Sequence, residues 1–282
     1  MTAVLAGVVG WPVSHSLSPR MHAFWLREHQ ISGSYVALPV RRHELSAALA
    51  GLRHAGFAGV NITLPHKEAG FALAHTADPA ARAAEAANLL LFRDGCFAAY
   101  NTDVDGLAQS LRDRCAAPSR GGRAVVLGAG GAARAAVLSC SRVGAEEIWV
   151  LNRTTSRAES LVRTLSRSMT QPLAAAAWDA WGTLGRNTRL LINATSAGLN
   201  GTSSPQISLA ALPDDAVVCD LVYKPLETPL LAAAKARGLI AVDGLGMLMH
   251  QGALAFELLF GVRPPVSAGL RAYLEEMLRD EA

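Results

Sequence analysis

Lysine is scarce in this chain of 282 residues, three against 23 arginines, so a lysine at the end of an apolar strand invites a chemical reading. Gly59-Val-Asn61-Ile-Thr63-Leu-Pro65-His66-Lys67 predicts a short strand that runs into a proline-marked turn and delivers Lys67. An ammonium can exchange a proton near neutrality and a guanidinium cannot, which makes Lys67 a candidate general acid/base; a solvated surface lysine is the alternative. Ser14-His15-Ser16-Leu17-Ser18-Pro19 precedes a helical stretch, Arg20–His29, with Ser18 expected as N-cap and Pro19 at the first helical position. In an extended segment Ser16 and Ser18 point their hydroxyls to one side, beside a helix N-terminus that attracts anions. Plain capping and capture of a small carboxylate both stay open. Asn88 and Asp103 stand at element ends. Singly, they read as a turn residue and an N-cap.

A second chemistry is written in glycine. Val125-Val-Leu-Gly128-Ala129-Gly130-Gly131-Ala132-Ala133-Arg134 is an apolar strand, a glycine-rich turn and an alanine-rich helix start. Gly128 permits the tight turn, Gly130 lets the backbone approach a pyrophosphate, and Ala133 allows close helix–strand packing, while N–H groups face the anion. The next strand, Glu147–Leu151, ends in Asn152-Arg153-Thr154, where an NAD-binding fold usually places an acid for the ribose 2′-hydroxyl. That acid is absent. Arg153 and Arg157 suit a 2′-phosphate instead, so NADP is expected over NAD; two solvated arginines opening a surface helix are the alternative.

The elements that must position these groups follow from patterning. Short β-branched runs alternate with Ala/Leu-rich helical stretches: Val4–Val9, Ser34–Val40, Gly59–Thr63, Val125–Leu127, Ile148–Leu151, Leu190–Asn193 and Val217–Leu221. This predicts an α/β chain with parallel sheets. Asp94-Gly95 between Leu89–Phe92 and Cys96–Tyr100 predicts a β-hairpin, so the first sheet should be mixed. Ala116–Gly122, dense in small and turn residues, reads as a linker before the glycine signature. The length suits two domains.

Composition narrows the classes. Hydrophobic residues are 51% and charged residues 17%, enough apolar surface to fold, and the net charge of +3 without long like-charge runs gives nucleic-acid binding little support. The apolar N-terminus, Met1 to Val13, lacks a basic n-region and fits a buried strand better than a signal peptide. No apolar stretch reaches the ~18 residues of a membrane span. Cys96, Cys115, Cys140 and Cys219 form no CxxC pair, which suits neither a zinc site nor a disulfide framework and points to a reducing, cytoplasmic setting. The eight histidines supply no HExxH cluster, and no metal is expected.

One ordered set ties the pieces together. SxSLSPxMH at Ser14–His22, GxNxTxPxK at Gly59–Lys67, Asn88, YNTDxxG at Tyr100–Gly106, GAGGAAR, NRT, INATSxG at Ile192–Gly198, TPLL at Thr228–Leu231 and a segment from Gly244 to Gln251 come in one sequence order. The chain resembles the shikimate dehydrogenase family over about Val4 to Phe256. That resemblance implies an N-terminal α/β substrate domain with a mixed sheet, residues 1–105, completed by C-terminal helices in 246–282, and a doubly wound Rossmann domain for NADP, residues 106–245.

Carried onto matching positions, the resemblance implies that Ser16, Ser18 and Tyr223 hold the carboxylate of a hydroxylated cyclohexene acid, while Thr63, Asn88, Asp103 and Gln251 contact its ring hydroxyls. Lys67 would be the general acid/base, with Asp103 fixing it. Asn193, Thr195 and Ser196 would line the cofactor cleft, and Gly244 and Met247 would lie near the nicotinamide. The implied reaction is the reversible NADP-dependent reduction of 3-dehydroshikimate to shikimate. Quinate or aminoshikimate as substrate, a low-activity relative and a non-enzymatic ligand sensor are the alternatives. Such proteins commonly carry Asn-Thr where this chain has Asn88-Leu89, so Leu89 is either a lost substrate contact or a core side chain.

Overall fold

The computed structural model describes residues 3–119, 121–199, 205 and 207–280; Met1 and Thr2 of the apolar N-terminus and Arg120 of the expected linker lie outside the described residues. The chain forms two compact units. One comprises the chain up to Thr102 with Met249–Glu276, the other Asp103–Leu248 with the chain from Met277.

The first unit runs β1 (Val4–Gly10), α1 (Ser18–Glu28), β2 (Gly33–Pro39), α2 (Leu45–His54), β3 (Phe57–Ile62), α3 (Lys67–Ala72), β4 (Thr76–Ala77), α4 (Pro79–Ala84), β5 (Leu89–Arg93) and β6 (Cys96–Tyr100). Its sheet has the order β2-β1-β3-β5-β6-β4. β1 is parallel to β2 and β3, whereas β5 is antiparallel to both β3 and β6, so the sheet is mixed. The hairpin is why. Asp94 at φ 48° and Gly95 at φ 76° make a two-residue turn whose left-handed backbone matches the strand twist. Alternation along β5 then sends Leu90 into a cluster with Val9, Leu49, Val60 and Ile62, and Leu89 and Leu91 into one with Ala6, Val8, Tyr35 and Ala255.

The second unit runs α5 (Asp103–Arg114), β7 (Arg123–Leu127), α6 (Gly131–Arg142), β8 (Glu147–Leu151), α7 (Thr155–Leu165), β9 (Leu173–Ala176), α8 (Trp181–Leu184), β10 (Thr188–Asn193), β11 (Val217–Asp220), α9 (Pro229–Ala236) and β12 (Ile240–Val242). α10 (Gly244–Phe260) begins here and ends in the first unit, and α11 (Ala268–Asp280) follows it. All strand pairs are parallel, in the order β12-β11-β10-β7-β8-β9. That is the doubly wound Rossmann order, with the topological switch point between β7 and β10. Helices cover both faces, α5 and α6 packing Leu107, Leu111, Ala136 and Val137 on one side and α9 packing Leu230 and Ala234 on the other. β9 is an alanine-rich strand whose residues have little strand preference; its pairing with β8 makes it.

Candidate active site

In the first unit the candidate residues of the β1, β3 and β5 segments gather at one end of the central strands, where β1 and β3 finish and β5 begins. β3 places Asn61 opposite Leu89, so Thr63 and Lys67, which follow β3, lie beside Asn88, which precedes β5. The turn between is pinned from several sides. Thr63 donates its N–H to Val9 (2.9 Å), its carbonyl accepts the His66 N–H (2.8 Å), and the Lys67 carbonyl accepts the Ala87 N–H (2.9 Å). His66 is buried and its Nε2 bonds the Val40 carbonyl at 2.7 Å, a scaffold contact that leaves the half-buried Lys67 as the first residue of α3.

The serine pair differs from expectation. α1 begins at Ser18 with Leu17 in the cap position, already in helical conformation at φ −77° and ψ −11°, so the segment is not extended and Ser18 is not the N-cap. The Ser16 N–H turns back onto the Val13 carbonyl, which winds the chain one residue early. Ser16 therefore does the capping-like work: its Oγ accepts the Ser18 N–H at 3.3 Å. The buried Ser18 hydroxyl is instead hydrogen-bonded to Tyr35.

That contact opens a network of neutral groups. Tyr35 donates its hydroxyl to Asn61 Oδ1 at 2.8 Å, and Asn61 Nδ2 donates to the Asn88 carbonyl at 2.9 Å. Asn88 Nδ2 donates to Thr102 Oγ1 (2.8 Å) and Gln251 Oε1 (3.1 Å), while its Oδ1 accepts the Thr102 N–H (2.8 Å). Ser18, Asn88 and Gln251 are thus brought together by Tyr35, Asn61 and Thr102, three residues the sequence analysis did not single out for function. Asn61 and Thr102 lie inside quoted motifs and could have been found; Tyr35 carried no local signal. Burial pushes the Tyr35 hydroxyl well above the usual phenol range, against the Ser18 bond. His22 stacks on the Tyr35 ring at 3.8 Å, and burial lowers its imidazole to about 3, so it is neutral.

The second unit builds its candidate residues at the switch point. Gly128 sits at φ 109°, a conformation that side chains with a Cβ rarely adopt, and a Cβ there would come within 3.1 Å of the Ala194 carbonyl oxygen. Gly130 occupies the cap position of α6 with no side-chain cap, and a Cβ on it would meet nothing within 4 Å. Open space before uncapped N–H groups fits a pyrophosphate. Ala129 and Ala132 are half-buried beside it, Gly131 is buried, and Ala133 is wholly buried against the sheet. Arg153, Thr154 and Arg157 are exposed beyond β8, with Asn152 Nδ2 bonding the Thr154 carbonyl at 2.9 Å. Exposed guanidinium groups one helix start away fit a 2′-phosphate.

Across the switch point, buried Asn193 ends β10 and accepts at Oδ1 from the Thr195 N–H (3.1 Å) and hydroxyl (2.7 Å), with Ser196 exposed next in the loop. Asn193 Nδ2 donates to Asp220 Oδ1 at 2.9 Å. Asp220 is a buried carboxyl that the sequence analysis missed; burial raises it above the usual range, and bonds from Thr228, the Val222 N–H and Asn193 oppose that. Asp103 opens α5, Tyr223 is half-buried after β11, and Gly244 and Met247 are buried in the first turns of α10.

Residues 8–90 match the shikimate dehydrogenase substrate binding domain, residues 110–200 the shikimate / quinate 5-dehydrogenase family, and residues 244–272 the shikimate 5'-dehydrogenase C-terminal domain. The shikimate dehydrogenase (NADP(+)) of Paramagnetospirillum magneticum is 46% identical over 274 residues, 96% of this chain and 98% of its own. The chain belongs to the shikimate dehydrogenase family. A solved member of that family, shikimate 5-dehydrogenase from Thermus thermophilus in complex with NADP(H) and shikimate, aligns at TM-score 0.84 and 39% identity, covering 99% of this chain and 100% of its own. The fold also reaches the 5-ketofructose reductase of a Gluconobacter strain, at TM-score 0.85 and 30% identity with both chains fully covered.

For a shikimate dehydrogenase family member the Asn88-Leu89 departure has a structural answer: Leu89 is wholly buried, packed with Tyr35, Ala6 and Leu91. Among the described residues no group of three or more His, Cys, Asp or Glu side chains could hold a metal ion, and no helix is long and apolar enough to cross a membrane.

Proposed function

We propose that this chain catalyses the reversible NADP-dependent interconversion of 3-dehydroshikimate and shikimate in the cytoplasm. The substrate assignment is carried by the 46% identity across nearly the whole chain to a relative named for that activity. When bound, NADPH would supply the hydride for reduction and NADP+ would accept it in the reverse direction. The chain's own residues do the rest.

As a ketone carbon receives hydride, negative charge builds on its oxygen, and Lys67 Nζ donates the proton that neutralises it; in the reverse direction the amine takes that proton back. Ser16, Ser18 and Tyr223 hold the carboxylate. Asp103, Thr63, Asn88 and Gln251 contact ring hydroxyls; the last two are held by the buried amide network that ties them together. Such preset donors and acceptors suit a polyhydroxylated ring, because polar groups held in fixed orientations by their neighbours select the positions at which a hydroxyl can bond. Gly128, Ala129, Gly130, Gly131 and Ala132 take the pyrophosphate, and Asn152, Arg153, Thr154 and Arg157 the 2′-phosphate. Asn193, Thr195 and Ser196 line the dinucleotide, with Gly244 and Met247 toward the nicotinamide. Neither nucleic acid nor membrane enters this reading.

The test is a steady-state assay of shikimate, quinate, aminoshikimate and 5-ketofructose, each with the NADP and NAD couples. The highest kcat/KM is expected for shikimate with NADP. A higher value for another substrate reassigns it, and ligand binding without turnover on any of them replaces the enzyme by a sensor.

A further inference from the structure

Asp220, the last residue of β11, exposes no surface, yet its carboxyl is the meeting point of three segments of the second unit. Oδ1 accepts from Asn193 Nδ2 at 2.9 Å and from the Val222 N–H at 3.1 Å, and Oδ2 accepts from the Thr228 hydroxyl at 2.7 Å. A buried carboxyl is costly unless hydrogen bonds compensate it, and three do so here. What matters is what each donor holds in turn.

Asn193 spends its own Oδ1 on the Thr195 N–H (3.1 Å) and hydroxyl (2.7 Å), and Thr195 Oγ1 accepts the Ala197 N–H (3.1 Å). The resulting turn lies against the glycine turn, since a Cβ at Gly128 would come within 3.1 Å of Thr195 Cγ2. Val222 leads directly to Tyr223, and the backbone it shares with Leu221 crowds Gly244, where a Cβ would lie 2.3 Å from the Leu221 carbonyl oxygen. Thr228 caps α9 by accepting the Leu231 N–H at 3.3 Å. An amide at Asn193 can rotate end for end; Asp220 Oδ1, which also accepts the Val222 N–H, faces it as an acceptor and holds Nδ2 on its side, within 3.3 Å of the Ala197 carbonyl as well, so that Oδ1 is left toward the Thr195 N–H.

We propose that Asp220 is a positioning residue for the cofactor: by fixing which end of the Asn193 amide faces Thr195, it sets the 193–197 turn against the Gly128 turn. This rests on the reading of Asn193, Thr195 and Ser196 as residues that line the dinucleotide. Asp220 itself touches neither cofactor nor substrate.

The experiment is NADPH titration of the full chain by fluorescence, without substrate, for Thr195→Ala, Asp220→Asn and the double variant. Thr195→Ala is expected to weaken binding about tenfold and Asp220→Asn about three- to tenfold, the size of one or two lost or misdirected hydrogen bonds. The double variant should bind about as Thr195→Ala does, because Asp220 acts through Thr195. If Thr195→Ala binds like the unaltered chain, the cofactor-lining reading falls, and this proposal with it. If Thr195→Ala weakens binding and Asp220→Asn does not, or if the two effects multiply, the lining reading stands and the positioning role is overturned. Should Asp220→Asn fail to fold, Thr228→Val in the same cycle decides: weaker binding that is non-additive with Thr195→Ala and restored by Thr228→Ser supports the role, and unchanged or additive binding overturns it.

Discussion

The two units solve recognition with opposite materials. The first holds its candidate residues with side-chain amides and hydroxyls, buried and neutral, from Ser18 through Tyr35 and Asn61 to Asn88 and Gln251. The second offers the backbone of a glycine turn, with charge on exposed arginines outside and two buried carboxyls, Asp103 and Asp220, inside. The ligand chemistries explain the difference. A ring bearing several hydroxyls must be met by donors and acceptors at set positions, which only side chains with preset partners provide, whereas a pyrophosphate accepts N–H groups from any sequence that can make the turn. Deleting a side chain should therefore act on chemistry in the first unit and mainly on affinity in the second.

The sharpest test is Lys67→Ala, expected to lower kcat by about two to four orders of magnitude while substrate KM changes less. Near-normal turnover from a folded variant would return Lys67 to the surface and leave the first unit without its acid/base. Next in size is Arg157→Ala. It should raise KM for NADP about 10- to 100-fold, the loss of a hydrogen bond to a charged group, and leave KM for NAD nearly unchanged. Equal losses for both cofactors would show that the exposed arginine recognises no 2′-phosphate.

The neutral, buried imidazole of His22 in the first unit predicts a pH dependence. Above the ordinary histidine value of 6.5, His22 is neutral folded or unfolded; below it the unfolded chain takes up a proton that buried His22 refuses until about pH 3. Stability should fall with pH through that window by up to about 1.4 kcal/mol per pH unit from this residue. Urea unfolding at pH 7 and pH 5 should therefore show about 2 kcal/mol more loss for the unaltered chain than for His22→Leu. Parallel losses would mean that His22 ionises in place beside Tyr35.

The smallest effect on chemistry belongs to Leu89→Thr. Placing a hydroxyl and a smaller volume in the Tyr35 cluster should cost about 2–4 kcal/mol of stability with kcat/KM for shikimate within about twofold. A clear gain in kcat/KM would reverse the assignment of Leu89 to packing.

What was legible in the sequence was whatever depends on neighbouring residues. The strand, glycine turn and helix around Gly128, the Asp94-Gly95 hairpin that mixes the first sheet, and the ordered motifs that point to the family all rest on local backbone preferences or short spacings. Tertiary structure decided the rest. β9 is strand because β8 is there to pair with it, not because alanine prefers to be. Leu17, not Ser18, holds the cap position since the chain winds back onto Val13. Tyr35 on β2 reaches Asn61 on β3 across 26 positions although β1 lies between the two strands, and Asp220 reaches Asn193 across 27 because the crossover sets β11 beside β10. A hydrogen-bond donor far along the chain leaves no periodic trace at its acceptor, so such pairings become visible only once the strands have been ordered in space.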